Sequence, residues 1–221
     1  MDVYEIKNII QNAELTKIVN EVWTRVGDEF LQAQKNIPSE IAMDRKELSF
    51  HEHVKLLGYL CCLLGKVEGD IIEIGVWKGK SSAFMSAMCQ KKRRIISIDP
   101  MILNKQVEEL SFYHKKIFPE VELIRGFAEL AAANVYRMHP KTVLLHIDGG
   151  HAGENVLMDF LIYSKTVVGG GFIVFDDYAD YQHSPEVGPA VDLLRAGGYF
   201  NGYNVIGTVP GFEASYLIQK R

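Results

Sequence analysis

Apolar residues follow two different spacings along the chain, and the change falls near residue 50. Before that point, isoleucine and valine recur every three or four positions among charged residues, which is typical of amphipathic helices. This spacing predicts helices over residues 1–45, with a turn at Pro38-Ser39 because proline interrupts helices. A further helical stretch is predicted from His51 to Leu64.

After residue 65, short runs rich in β-branched residues alternate with helical stretches. The runs are apolar on both faces, as expected for strands of a parallel sheet that helices cover on both sides. The predicted strands are Asp70–Gly75, Arg94–Asp99, Val121–Arg125, Thr142–Asp148 and Gly170–Asp176. The helices that alternate with them are predicted near 79–91, 103–118, 128–138 and 153–167.

The last part of the chain predicts a helix over Val187–Ala196 and then a hairpin. Two strand-like runs, Tyr203–Val209 and Ala214–Gln219, are joined through Pro210-Gly211. This link is too short for a parallel crossover, which needs about a dozen residues or more. The two strands are therefore predicted to be antiparallel.

These elements predict one α/β domain preceded by a helical extension. The sequence contains no internal repeat and no second boundary, so we place the extension at 1–48 and the domain at 49–221. The apolar stripe of the extension suits a packing element, a lid or a contact between two copies of the chain.

Acidic residues outnumber basic residues by 28 to 24, which gives a formal net charge of −4. This balance argues against nucleic acid and against an anionic membrane surface as partners. The first residues lack the pattern of a signal peptide, and no apolar run is long enough to span a membrane. Cys61, Cys62 and Cys89 do not form a disulfide framework, so we expect three buried thiols in a protein of the reducing cytoplasm.

Candidate chemistry lies where the predicted strands end, because ligands of open α/β sheets bind beyond the carboxyl ends of the strands. The first such end, Glu73–Ser81, is a glycine turn followed by a helix start. Gly75 and Gly79 let the chain turn and a ligand approach, and the free N–H groups of the helix attract a carboxylate or phosphate. The spacing E-x-G-x-x-x-G differs from the G-x-G-x-x-G of dinucleotide sites, and a purely structural turn stays open.

Two further strand ends suit a nucleoside. Asp99 ends the second strand, where an acid accepts hydrogen bonds from ribose hydroxyls, although it could also cap a helix before Pro100. The loop Arg125–Glu129 follows the third strand and could present Phe127 to a purine, or bury Phe127 in the core.

Three acids follow the fourth and fifth strands. Asp148 ends one strand, and Asp176 and Asp177 end the neighbouring one. Negative charges placed together after apolar strands are costly unless a positive charge neutralises them. Their carboxylate oxygens are suitable ligands for Mg²⁺, Mn²⁺ or Ca²⁺. The alternative is a set of helix caps and salt bridges. His151 lies three residues after Asp148, where it could accept a proton near neutral pH.

Of the other histidines, His51 and His53 could line the pocket, and the rest have no comparable context. They are His114, His139, His146 and His183.

The segments EIGVWKGKSS, ISIDP, HIDGGH and GGGFIVFDDY, in this order over about residues 68–219, resemble the class I S-adenosylmethionine-dependent methyltransferases. The segment from HIDGGH onward is most similar to macrocin O-methyltransferase-like and cephalosporin hydroxylase-like sequences. The resemblance implies a Rossmann-like α/β fold with a seven-stranded, mostly parallel sheet. It implies the strand order 3-2-1-4-5-7-6 with strand 7 antiparallel.

The resemblance also implies roles for individual residues. Those expected to bind S-adenosylmethionine are Glu73, Gly75, Gly79, Ser81, Asp99, Gly126, Phe127, Ala128 and Asp148. Those expected to bind Mg²⁺ or another divalent cation are Asp148, Asp176 and Asp177. Asp148 and His151 are expected to be catalytic, with His151 as general base, since Gly150 stands where some relatives carry a second acid.

The implied activity is transfer of a methyl group to a hydroxyl of a small molecule such as a sugar, phenol or polyketide. The partners expected are this acceptor and a second copy of the chain. Trp77, Tyr178, Tyr181 and His183 are candidates for the acceptor pocket. A nicotinamide-dependent oxidoreductase and a non-catalytic binding protein of the same fold stay open as alternatives.

Overall fold

The computed structural model describes residues 2–43, 51–101 and 103–221. Its strands, in chain order, are β1 (Asp70–Ile74), β2 (Ile95–Asp99), β3 (Glu122–Arg125), β4 (Thr142–Ile147), β5 (Val167–Phe175), β6 (Tyr203–Val209) and β7 (Phe212–Lys220). They form one sheet in the order β3-β2-β1-β4-β5-β7-β6. The first five strands are parallel to one another, and β7 is antiparallel to both β5 and β6. The predicted fold class, strand order and terminal hairpin are confirmed.

Eight α-helices accompany the sheet in the described part of the chain. They are α1 (Val3–Ile10), α2 (Ala13–Lys35), α3 (Lys55–Leu63), α4 (Lys80–Met88), α5 (Asn104–Ile117), α6 (Ala128–Met138), α7 (Gly153–Tyr163) and α8 (Val187–Ala196). Short 3₁₀ turns flank α3 at Glu52–Val54 and Leu64–Lys66. Within the described ranges, no helix is both long and apolar enough to cross a membrane.

Helices α1 to α5 cover one face of the sheet, called here the first face, and α6 to α8 cover the second face. Because side chains alternate along a strand, each strand contributes to both cores. In β1, Ile71 packs in the core of the first face, and Ile72 and Ile74 pack in the core of the second. By the same alternation Glu73 belongs to the first face.

The N-terminal helices are part of the first core. Trp23 of α2 contacts Phe84 of α4 edge to face, with 4.9 Å between ring centroids. Phe30 of α2 lies 5.0 Å from the ring of Tyr113 in α5. The apolar stripe of the extension is therefore covered within the same chain, and the dimer stays a prediction. The proposed boundary between residues 48 and 49 lies outside the described residues.

Two local expectations are wrong. Strand β5 begins at Val167, three residues before the predicted start, because Val167 already pairs with Thr142 of β4 and the glycine run follows as an irregularity inside the strand. Cys89 is only partly buried. Cys62 is exposed, whereas Cys61 is buried. The two residues are adjacent on α3, so a rotation of about 100° about the helix separates their side chains and only one of them faces the core.

Candidate active site

A cavity of about 1690 Å³ opens at the carboxyl ends of β1, β2, β4 and β5. This volume exceeds the roughly 300–1,000 Å³ of a typical small-molecule pocket, so there is room for two ligands together. The residues predicted for the site that line it are Gly75, Ser81, Asp99, Phe127, Ala128, Asp148, His151, Asp176 and Asp177. His51 and His53, which precede α3, complete one wall.

Asp99 holds the turn between β1 and α4. One carboxylate oxygen accepts the backbone N–H groups of Val76 and Trp77 at 2.9 and 3.0 Å. The other accepts the N–H of Met101 at 2.6 Å and the amide of Gln106 at 3.3 Å. These bonds fix Trp77 at φ +49°, a conformation that costs about 1–3 kcal/mol for a residue other than glycine. A ribose hydroxyl would have to replace the long bond from Gln106.

Glu73, Ser97 and His146 form a buried polar row across the first face of the sheet. The register pairs Glu73 of β1 with Ser97 of β2 on one side and with His146 of β4 on the other. Glu73 accepts hydrogen bonds from Ser97 at 2.9 Å and from Ser82 of α4, and it lies 3.2 Å from Nδ1 of His146. Glu73 is thus behind the cavity wall, where it orients other side chains.

Asp148 lies two residues after His146 in the chain, and Asp176 lies beside it at the end of the neighbouring strand β5. Asp176 accepts hydrogen bonds from Ser215 at 2.9 Å and from His53 at 3.3 Å, and Nε2 of His146 lies 3.8 Å away. Burial and the neighbouring Asp176 raise the pKa of Asp148 well above its usual range. Burial also acts on Asp176, but the neighbouring His146 and His53 outweigh it and lower the pKa of Asp176.

His151 and Asp177 lie nearer the mouth of the cavity. Nε2 of His151 is 3.1 Å from Oδ2 of Asp177. The hydroxyl of Ser184 lies 2.8 Å from Nδ1 of His151 and donates to Asp177 at 3.0 Å. Asp177 adopts φ +59°, so this part of the site is also built on uncommon backbone. The histidine ring is oriented on both nitrogens while 46% of its side chain stays exposed.

The three predicted acids lie close together in two overlapping groups. Asp176 and Asp177 each form a group with Asp148 and with one histidine. His146, Asp148 and Asp176 form one group in which the ligand atoms all lie within 4.8 Å of one another. Asp148, His151 and Asp177 form a second group of the same kind. Buried carboxylates that face each other favour a cation between them. The donor set therefore fits a divalent metal, with imidazole nitrogen available beside carboxylate oxygen.

The predicted cofactor glycines differ in what surrounds them. Gly75 has φ +88°, and a Cβ there would overlap the carbonyl of Asp148. Gly79 is the N-cap residue directly before α4 at φ +80°, and a Cβ there would overlap the ring of Phe118. A Cβ on Gly126 would meet no heavy atom within 4 Å. The local backbone and packing thus require glycine at positions 75 and 79, whether or not these residues contact a cofactor.

On the opposite side of the cavity, Phe127 is 50% exposed and precedes α6. The hydroxyl of Tyr163 donates to the carbonyl of Ala128 at 2.6 Å and fixes this loop. Asp159 of α7 lies nearby on the cavity wall. Its burial, together with Glu129, raises the pKa of Asp159 to about 7.

Sequence reasoning missed His146, Ser184 and Ser215 and gave His53 no definite role. His146 precedes Asp148 by two residues on one strand, and that alternation places both side chains on one face. This signal was present in the sequence. The contacts of His53, Ser184 and Ser215 with the acids of β5 carry no local signal, because they depend on how distant segments pack.

Comparisons with known proteins concern the domain family and the fold. A methyltransferase-domain family matches residues 72–178. An uncharacterised protein of Acanthamoeba polyphaga mimivirus is 35% identical over 174 residues, which cover 73% of this chain and 77% of the viral protein. The O-methyltransferase NovP has a similar structure, with a TM-score of 0.60 and 17% identity, over 76% of this chain and 79% of its own.

The apo structure of CalS11, a TDP-rhamnose 3′-O-methyltransferase of calicheamicin biosynthesis, is also similar. It gives a TM-score of 0.60 at 17% identity over 89% of this chain and 93% of its own. At such identities the structural likeness concerns the fold.

The chain contains a methyltransferase domain, as the resemblance to the class I S-adenosylmethionine-dependent methyltransferases implies, and it is related to the uncharacterised viral protein. Its sheet order, its antiparallel seventh strand and the glycine turn after β1 are the features expected from that resemblance. These matches do not favour the nicotinamide-dependent oxidoreductase or the non-catalytic binding protein that the sequence left open.

Proposed function

We propose that this protein transfers the methyl group of S-adenosylmethionine to a hydroxyl of a small molecule, with a divalent metal in the site. The observation that carries the proposal is the convergence of Asp148, Asp176, Asp177 and His151 on one cavity. The same cavity includes the turn after β1. Cofactor and acceptor would therefore meet in a single space.

S-adenosylmethionine supplies the electrophilic methyl group. We assign its methionine carboxylate to Ser81 and the N-terminal N–H groups of α4, because helix N-termini attract anions. We assign its ribose to Asp99 and its adenine to the loop at Phe127 and Ala128, which Tyr163 holds in place. Gly75 and Asp148 would lie beneath the reacting end.

Asp148, Asp176 and Asp177 would hold a divalent metal, which would supply the positive charge that lowers the pKa of the acceptor hydroxyl. His151 would accept the proton of the acceptor hydroxyl at Nε2. Asp177, 3.1 Å away, stabilises the charge that the ring then carries, and Ser184 keeps the ring from turning. The acceptor oxygen forms a bond to the methyl carbon while the carbon–sulfur bond breaks, which leaves S-adenosylhomocysteine. The cavity walls restrict water and orient the two reactants.

The acceptor would enter beside Trp77 and His183, which line the cavity. Tyr181 is 72% exposed and could reach over an extended acceptor. The TDP-rhamnose 3′-O-methyltransferase named above supports a hydroxylated small molecule, and a role in natural product biosynthesis. A sugar, a phenol and a polyketide hydroxyl all suit the chemistry, with a second oxygen beside the methylated one to complete the metal shell. A homo-oligomer in the cytoplasm stays a prediction.

Calorimetric titration with S-adenosylhomocysteine tests the proposal. It is carried out first in chelator and then with excess Mg²⁺, with NAD as a control ligand. We expect binding of S-adenosylhomocysteine and no heat from NAD. Vicinal diols and catechols are then screened as acceptors with excess metal. Failure of S-adenosylhomocysteine to bind in either buffer would contradict the proposal, and heat from NAD would favour an oxidoreductase.

A further inference from the structure

We infer that His146 is a ligand of the metal, so that the site prefers a divalent transition-metal ion such as Fe²⁺, Co²⁺ or Zn²⁺ to Mg²⁺. The inference rests on the proposed function, because it concerns the metal of the same site. The proposed function expects an ion such as Mg²⁺ that three carboxylates hold. The inference adds an imidazole nitrogen to the ligands, and this favours a different class of ion.

The first support is the position of the ring. His146 is 1% exposed, and its ligand nitrogen shares one group with carboxylate oxygens of Asp148 and Asp176, all within 4.8 Å of one another. Nε2 lies 3.8 Å from Oδ2 of Asp176, a separation that leaves the nitrogen beside the carboxylate rather than tightly bonded to it. Three side chains from two neighbouring strands thus already surround a common point.

The second support is the partner of the other ring nitrogen. Nδ1 of His146 lies 3.2 Å from Glu73, which is fully buried and also held by Ser82 and Ser97. A histidine that binds a metal almost always donates its other N–H to such an acceptor, which fixes the tautomer. With the proton on Nδ1, the lone pair of Nε2 points toward Asp148 and Asp176.

The chemistry of this donor set decides the kind of metal. Carboxylate and water ligands suit Mg²⁺ and Ca²⁺, whereas imidazole suits iron, zinc and related ions. Two carboxylates with one buried imidazole therefore favour a transition metal. Asp177 and an acceptor oxygen can complete the shell from the open side, where the second group meets the first at Asp148.

The other explanation for these contacts is a buried ion network without metal. His139 provides a matched control, because it is equally buried, with Nδ1 2.7 Å from Asp70 and Nε2 3.5 Å from Glu122. It lies at the opposite end of the sheet, beside the start of β1. A network role alone would make His146 and His139 behave alike toward added metal.

The main experiment uses Mn²⁺ as a spectroscopic probe on chelator-treated protein. Pulsed electron paramagnetic resonance detects coupling between the ion and a coordinated imidazole nitrogen. We expect this coupling in the wild type, in His151→Gln and in His139→Asn, and its loss in His146→Asn. Absence of coupling in the wild type, its persistence in His146→Asn or its loss in His151→Gln would overturn the assignment.

Affinity provides a second measurement. We expect the wild type to bind Co²⁺ more tightly than Mg²⁺, and His146→Asn to lose about 10–100-fold in Co²⁺ affinity with little change for Mg²⁺. Glu73→Gln keeps the imidazole of His146 but weakens the contact between Glu73 and Nδ1 of that ring. We expect this variant to lose about 10–100-fold in Co²⁺ affinity. This variant keeps the test decisive if His146→Asn does not fold. Equal affinity of the wild type for Co²⁺ and Mg²⁺, or unchanged Co²⁺ affinity in Glu73→Gln, would contradict the inference.

These readouts are separate from the proposed methyl transfer. Nitrogen coupling without binding of S-adenosylhomocysteine would uphold the metal site and contradict the proposed function. Binding of S-adenosylhomocysteine together with an all-oxygen metal shell would do the reverse.

Discussion

Nε2 of His151 lies 3.1 Å from Oδ2 of Asp177, and both residues line the cavity. Ser184 contacts both residues, so the ring has one orientation although nearly half of it is exposed. A base held in this way can deliver its proton to solvent after each turnover. Its position next to the acids of β5 leads to the first prediction.

His151→Gln is expected to lower kcat by about 10²-fold or more, which is the range of general-base contributions. Binding of S-adenosylhomocysteine should not change, because the proposed function assigns His151 to the acceptor and not to the cofactor. Steady-state kinetics and calorimetry on the purified variant provide the check. His183→Gln is the control, since His183 is an exposed cavity histidine bonded to Asp180 at 3.1 Å, and it should affect KM at most. Wild-type kcat in His151→Gln would place the base elsewhere.

Asp148→Asn is expected to separate activity from stability. Loss of a metal-binding carboxylate should reduce kcat by roughly a hundredfold or more. In chelator the same change should stabilise the protein, because it removes one of two neighbouring carboxyl groups that disfavour each other's charge, and each kcal/mol raises Tm by about 2–4 °C. Thermal unfolding and kinetics measure the two effects. Asp192→Asn, an exposed acid, is the control and should change neither. A lower Tm in Asp148→Asn would show that repulsion from Asp176 is not significant.

Asp159 is expected to make stability depend on pH. Its pKa is about 7 in the folded protein and about 3.9 in an unfolded chain. The folded state therefore binds the proton more tightly. The stability that this tighter proton binding contributes is fully present below about pH 4 and is lost as the pH rises to about 7.

Asp159→Asn should remove this dependence and stabilise the protein at pH 8 by on the order of 2–4 kcal/mol, with little effect near pH 4. Urea unfolding at both pH values measures the difference. Asp28→Asn changes an exposed acid of α2 and should behave as the wild type does at each pH. An equal gain at both pH values would mean that the effect of Asp159 is not one of ionisation.

Two glycines of the cofactor loops are expected to respond differently to alanine. Gly75→Ala should lose about 1–3 kcal/mol from its positive φ alone, and more from overlap with the carbonyl of Asp148. Gly126→Ala should fold normally, because its Cβ meets no atom, and should weaken S-adenosylhomocysteine binding by roughly tenfold through one misplaced methyl group. Unfolding curves and calorimetry distinguish the two. Unchanged affinity in Gly126→Ala would remove Gly126 from the cofactor site.

The sequence by itself determined the seven strands, the direction of the last hairpin and the edge at which the acids meet. These features depend on local patterns: β-branched runs, glycine turns, and the rule that parallel strands present their carboxyl ends on one side. Asp148, Asp176 and Asp177 could be placed together for this reason, since all three lie within two residues of a strand end.

Only the tertiary structure decided which other side chains and backbone groups contact the acidic residues of the site. Glu73 and His146 are 73 residues apart and meet because β1 and β4 are neighbours in register. His53 reaches Asp176 across 123 residues through the packing of the segment before α3. Asp99 is occupied by four protein donors, which no spacing indicated. Such contacts arise from strand order and helix packing, and those depend on burying the whole apolar surface at once rather than on any local pattern.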